Sequence, residues 1–206
     1  PHPEAALHDI HLTYSPVVDI QTDPNNPVLS VRSFGADLDL LGRMAGAYIR
    51  GYQENGMLAT AKHYPGRGEV ELIAGTEYTI NRKPAESVEA EDFLAFKKAI
   101  DAGVAYVMSE HIAVPSAAEG SDLPASVERR LATDWLKGKL GFRGVLTTDD
   151  MWYEKVVKRF GAFFGLNASM VAMIVLVVFI GLGEKMAERF LPLYLVALGG
   201  GAYAVG

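Results

Sequence analysis

MLATAKHYPGRG, residues 57–68, carries the fold in miniature. An apolar run ends in two basic residues, Lys62 and His63, and then Pro65, Gly66 and Gly68 turn the chain. Short apolar runs bounded by turn residues read as buried strands. Three further runs have the same form: LTYSPVVDI (12–20), VAYVMSEHIAVP (104–115) and GVLTTDD (144–150). Each ends in polar groups, namely Asp19, Glu110-His111 and Asp149-Asp150.

Helical patterns separate these runs. Residues 36–54 set Leu38, Leu41, Ala45, Tyr48, Ile49 and Tyr52 on one face, and Asn55-Gly56 stops the helix. Residues 85–102 set Val88, Phe93, Phe96 and Ile100 on a face, with Gly103 after the end. Residues 127–140 group Leu131, Trp135, Leu136 and Leu140, with Ser126 as the expected N-cap and Gly141 just past the C-terminus. Strands alternating with helices predict an α/β fold with a parallel sheet. In a (β/α)8 barrel the polar run ends line one mouth. In an open doubly wound sheet they meet at the switch-point crevice. Either way they mark a site.

Composition narrows the function. The chain has 206 residues and a formal charge of −6. Residues 151–206 hold five Lys/Arg and three acids, which leaves 14 basic and 22 acidic groups in the first 150 residues. That balance argues against nucleic acid as a partner. With no Cys, disulfides, thiolate metal sites and a Cys nucleophile are excluded. No metal-ligand cluster or phosphate-binding Gly-rich loop is visible, so no cofactor or metal is expected.

The composition changes near residue 160. AFFGLNASMVAMIVLVVFIGLG (162–183) holds no charge over 22 positions, enough to cross a hydrocarbon core as a helix. The alternative is a buried core helix. Lys155, Lys158 and Arg159 before the run favour a cytoplasmic N-terminal flank, so the expected location is a membrane with the N-terminal domain in the cytoplasm. GLGEKMAERFLPLYLVALG (181–199) resembles the first transmembrane region of a major facilitator superfamily transporter. The expected domains are therefore 1–155, an incomplete barrel, and 156–206, a membrane-spanning helical segment.

The first 150 residues resemble glycoside hydrolase family 3. The blocks SPVVDI (15–20), DPNNPV (23–28), RSFG (32–35), AKHYPGRG (61–68), MSEHIAVP (108–115), LPAS (123–126) and LGFRGVLTTDD (140–150) follow that family's N-terminal barrel domain in order and spacing. The resemblance implies about four to five βα units of a (β/α)8 barrel, beginning near its third strand. The absence of an initiator Met suggests a start inside a longer reading frame. It also implies retaining, exo-acting hydrolysis of β-glucosides or β-N-acetylglucosaminides, so the expected partner is a β-linked saccharide.

By that resemblance Asp149 is the nucleophile, and Arg32, Lys62 and His63 bind sugar hydroxyls. Asp19, His111 and Glu69 are further candidates. A retaining mechanism also needs an acid/base. Where the acetylhexosaminidase branch has an Asp and a His, this chain has Ile73 and Gly75. Arg67 replaces a family His, and Glu69, Glu71 and Glu77 are the nearby acids. The alternative function is a membrane-anchored or transporter-fused, non-catalytic sugar-binding fragment. Residues 162–183 would supply the lipid contact.

Overall fold

The computed structural model describes residues 10–22, 29–68, 70–72 and 79–151. The chain divides into two units, Pro1–Lys155 and Val156–Gly206, and the description concerns the first. Four strands form a parallel sheet in the order β1 (Leu12–Thr13), β2 (Leu58–Tyr64), β5 (Tyr106–Ser109) and β7 (Val145–Thr148). Helix α1 (Leu38–Gln53) connects β1 to β2. Helix α2 (85–101) lies between β2 and β5, and α3 (Arg130–Lys139) between β5 and β7. This is the βα alternation expected from the sequence, with four parallel strands in the main sheet.

Each element has a local cause. Asp37 caps α1 by accepting the N–H groups of Asp39 and Leu40 at 2.9 Å. Gly56, at φ +85°, ends that helix as Asn55-Gly56 predicted. Gly141 takes φ +77° after α3, also as predicted. Ser126 is not the cap of α3. The helix begins at Arg130 without a side-chain cap, and the Ser126 hydroxyl goes to His111 instead. Two helices contain π-type turns: Val88–Phe93 within α2, and α3, where the Leu140 N–H reaches back to the Trp135 carbonyl at 2.8 Å.

The core lies between the sheet and the helices. Ala59 and Ala61 of β2, Leu41, Ala45 and Ile49 of α1, and Val88, Phe93 and Phe96 of α2 are all buried in one cluster. Tyr64 anchors its middle. Its ring stacks on Phe93 at 5.7 Å and meets Phe96 edge-on at 5.2 Å. Its hydroxyl donates to the Leu131 carbonyl at 2.9 Å, tying the end of β2 to α3. Each buried aromatic removes a large apolar surface from water and so stabilises the layer.

A second, small sheet was not legible in the sequence. β4 (Thr79–Ile80) pairs antiparallel with β3 (Glu71–Leu72) and parallel with β6 (Ile112–Ala113). Two-residue strands carry no period to detect. Among the described residues no helix is long and apolar enough to cross a membrane. The run 162–183, the transporter-like stretch 181–199 and Glu69 lie outside the described residues.

Candidate active site

The polar ends of β2 and β7, with Met108 of β5 between them, meet at a cavity of about 490 Å³. Tyr14, Arg32, Lys62, His63, Arg67, Asp149 and Asp150 are among the residues that line it. The sheet brings these residues together because parallel neighbours place their C-terminal ends side by side. Lys62 and His63 lie on β2, and Asp149 continues the β7 ladder, its N–H donating to the Ser109 carbonyl at 2.7 Å. Arg32 comes from the short 3-10 turn Ser30–Arg32. The peptides Ser15–Pro16, Lys62–His63 and Tyr64–Pro65 are cis.

The PGRG turn explains its own glycines. Gly66 takes φ +133°, and a Cβ there would lie 2.7 Å from Asp92 Oδ1. A Cβ on Gly68 would lie 1.9 Å from the Ile20 carbonyl oxygen. The loop thus passes against the segment that carries Asp19, and it delivers Arg67 to the cavity.

Asp19 is buried and does not line the cavity. It organises the residues that do. Its carboxylate accepts the backbone N–H of His63 at 3.2 Å and that of Arg67 at 2.9 Å. Its Oδ2 lies 2.7 Å from His63 Nδ1. A carboxylate only accepts, so Nδ1 donates and Nε2 is left to face the cavity.

His111 is likewise a strap rather than a lining residue. Its Nε2 donates to the Asp150 carbonyl at 3.1 Å, and its Nδ1 lies 2.8 Å from Ser126 Oγ. Because a carbonyl also only accepts, the neutral ring takes the Ser126 proton at Nδ1. Burial holds the His111 imidazole below its ordinary pKa, which favours that neutral form.

Charge is arranged around Asp149. Burial alone would raise its pKa. A hydrogen bond from Glu110, the Asp150 N–H at 2.8 Å on Oδ1, and the nearby His63 and Arg67 outweigh that and hold it below the usual range. Burial, with the neighbouring Arg32 cation, lowers Lys62. Glu110 goes the other way: burial raises it, against the opposing pull of Arg67.

The sequence marked Glu110 at a strand end but assigned it no role, and its partner Arg67 stood out as a departure from the family pattern. Atoms of His63, Glu110 and Asp149 lie within 4.8 Å of one another, a spacing that a divalent cation could bridge. The Arg67 guanidinium, 2.5 Å from Glu110 Oε2, already supplies positive charge there, so no metal is assigned. Ile73, Gly75 and Glu77 lie outside the described residues, as Glu69 does.

Parallel strand ends that gather carboxyls and cations around one cavity mark the candidate site of an α/β fold, at the end of the sheet where barrel proteins collect their functional groups. The chain belongs to glycosyl hydrolase family 3: residues 2–173 match the model of that family's N terminal domain. It is 35% identical over 152 residues to a beta-hexosaminidase of Tolumonas auensis, covering 73% of this chain and 44% of that protein. It is 33% identical over 154 residues to a beta-N-acetylglucosaminidase/beta-glucosidase of Cellulomonas fimi, covering 71% and 27%. Its fold is similar to the family 3 beta-N-acetylglucosaminidase of a Paenibacillus species, with a TM-score of 0.71 and 31% identity over 77% of this chain and 30% of that one. The chain therefore spans less than half the length of these relatives.

Proposed function

We propose that this chain is part of a retaining, exo-acting β-glycosidase that takes β-glucosides or β-N-acetylglucosaminides, with Asp149 as nucleophile. The observation that carries this reading is Asp149 itself. Its carboxyl lines the cavity, is held low in pKa, and stands beside the cations of β2 and the PGRG turn. Such a carboxylate attacks the anomeric carbon to form a glycosyl-enzyme, which water then hydrolyses. Arg32, Lys62 and His63 Nε2 hydrogen-bond the sugar hydroxyls and fix the ring over Asp149. The relatives' names support both substrate classes. A partly buried carboxylate at the cavity wall, within reach of a bound sugar, favours a catalytic reading over a purely sugar-binding one.

The experiment is trapping. An activated 2-fluoro β-glucoside is incubated with the chain, which is then digested and mapped by mass spectrometry. One glycosyl adduct on Asp149, lost in Asp149→Asn, is expected. An adduct on another residue, or none on the wild-type chain at any pH, would sink the assignment.

We further propose that residues 162–183 form a membrane anchor, with residues 1–155 on the cytoplasmic side and a transporter-like stretch following. The uncharged run and its basic N-terminal flank support this. The family match overlaps the run over residues 162–173, which favours a core helix there. Alkaline carbonate extraction separates the two: an anchored chain stays in the pellet, and a chain released to the supernatant removes the anchor.

A further inference from the structure

Buried acids surround the PGRG turn, 65–68. Asp19, Asp92 and Glu110 are 1%, 1% and 5% exposed. Asp19 Oδ1 accepts the Arg67 N–H at 2.9 Å. Asp92 Oδ1 packs so close to Gly66 that a Cβ there would lie 2.7 Å away. Glu110 Oε2 lies 2.5 Å from Arg67 Nη2, the contact of an ionised pair. Glu110 Oε1 is tied in turn to the His111 N–H at 2.8 Å. Arg67 is therefore held at both ends, its backbone by Asp19 and its guanidinium by Glu110. Withdrawing carboxylates from water is costly, and here two of them grip one side chain.

A purely structural ion pair would end there. The Arg67 side chain is 27% exposed and lines the cavity beside Asp149. A guanidinium carries several N–H donors in a planar fork, and Glu110 faces one end of it. Among the described residues no other acceptor holds the remaining donors of Arg67. They are left for whatever enters the cavity.

We propose that Arg67 is a specificity-determining, substrate-binding residue that donates to a hydroxyl of a neutral sugar, with Glu110 as the positioning residue that aims it. This rests on the glycosidase reading, to whose sugar-binding residues it adds one. Glu110 cancels the charge of Arg67, so the pair presents directed donors with little net charge. Such a site suits hydroxyls and gives an anionic sugar no advantage. It discriminates against a sugar that lacks the hydroxyl, because a partly buried donor is then left unpaired. Lysine could balance Glu110 but does not offer the fork.

The test is a comparison of ligands against variants and needs no turnover. The full chain is titrated by NMR with D-glucose and with N-acetylglucosamine, and the tighter binder is compared with its monodeoxy analogues. Removing the hydroxyl that Arg67 holds should weaken binding to the wild-type chain about tenfold or more. In Arg67→Met that analogue should bind as well as the parent sugar, while the penalties at other positions stay. A structural arginine would weaken all the ligands alike, so every penalty persisting in Arg67→Met overturns the proposal. Glu110→Gln should shrink the same penalty and no other, and an unchanged penalty overturns the role of Glu110. The corresponding uronate should bind no tighter than the parent sugar. A gain for the uronate that disappears in Arg67→Met makes Arg67 an anion site and overturns the proposal, as does a wild-type chain that binds neither sugar. Should Arg67→Met not fold with Glu110 unpaired, the double variant Arg67→Met with Glu110→Gln removes both charges and carries the same comparison.

Trapping on the same proteins separates this inference from the reading beneath it. Penalties that behave as stated, with no adduct on Asp149, remove the glycosidase reading and leave Arg67 as a sugar-binding residue. An adduct on Asp149 with every penalty intact in Arg67→Met does the reverse.

Discussion

Asp19 Oδ2 lies 2.7 Å from His63 Nδ1, with both side chains withdrawn from water. This pair joins the segment after β1 to the end of β2, and the same carboxylate also receives the Arg67 N–H. One buried anion thereby sets the orientation of two cavity residues. The role is structural in its contacts and functional in its effect.

Asp19→Ala would leave the His63 ring nitrogen and two backbone N–H groups without their acceptor. Breaking a buried, hydrogen-bonded pair by removing one partner costs about 3 kcal/mol or more. Urea denaturation should show a loss of that size, and Asp149 trapping should weaken in the fraction that remains folded. A change under about 0.5 kcal/mol, the range of surface substitutions, would contradict the role given to Asp19.

Tyr64→Phe removes one hydroxyl from an otherwise apolar contact and leaves the buried Leu131 carbonyl without its donor. The expected cost is about 1–2 kcal/mol, read as a lower urea midpoint at unchanged slope. Phe96→Ala, in the same cluster, should cost about 3–5 kcal/mol through the cavity it opens.

Gly51 and Gly68 make a matched pair for one substitution. A Cβ on Gly51, within α1, meets nothing within 4 Å, so Gly51→Ala should stabilise by about 0.5–1 kcal/mol. A Cβ on Gly68 would run into the backbone of Ile20, so Gly68→Ala should destabilise by about 1–3 kcal/mol and displace Arg67 from the site. Thermal melts of both variants give the two signs.

His111 predicts a pH dependence. Burial holds it below the ordinary value of 6.5, so the folded state favours the neutral ring more than the unfolded chain does. A depressed folded pKa means that this contribution is fully present above about pH 6.5 and is lost as the pH falls through the interval below it. Urea midpoints measured from pH 7.5 down to pH 5 should decline, and His111→Gln should flatten that decline. An equal slope in the variant would remove His111 as the cause.

Much of the architecture is legible in the sequence. The strand runs and the helical faces of Leu41, Ala45 and Ile49 or of Phe93 and Phe96 follow from periodicity, which is a local property. Gly56 and Gly141 signalled helix ends because only backbone freedom suits their positive φ. Asp149, Lys62, His63 and Arg32 stood out through family motifs, and all four line one cavity. Ser126 misled, since a hydroxyl before a helix has two possible partners and the distant His111 took it. The small β3–β4–β6 sheet escaped because two residues per strand leave no pattern.

The sequence by itself determined the alternation of strands and helices, the family, and the residues available for chemistry. These depend on neighbours along the chain or on motifs of fixed spacing. Only the tertiary structure decided that Asp19 buttresses His63 rather than touching the cavity, that His111 ties Asp150 in place, and that Arg67 lines the cavity paired with the buried Glu110. Those roles depend on which strand ends lie side by side and how deeply each group is buried. Burial and proximity set the charge of a carboxyl, and neither is encoded within a single local run.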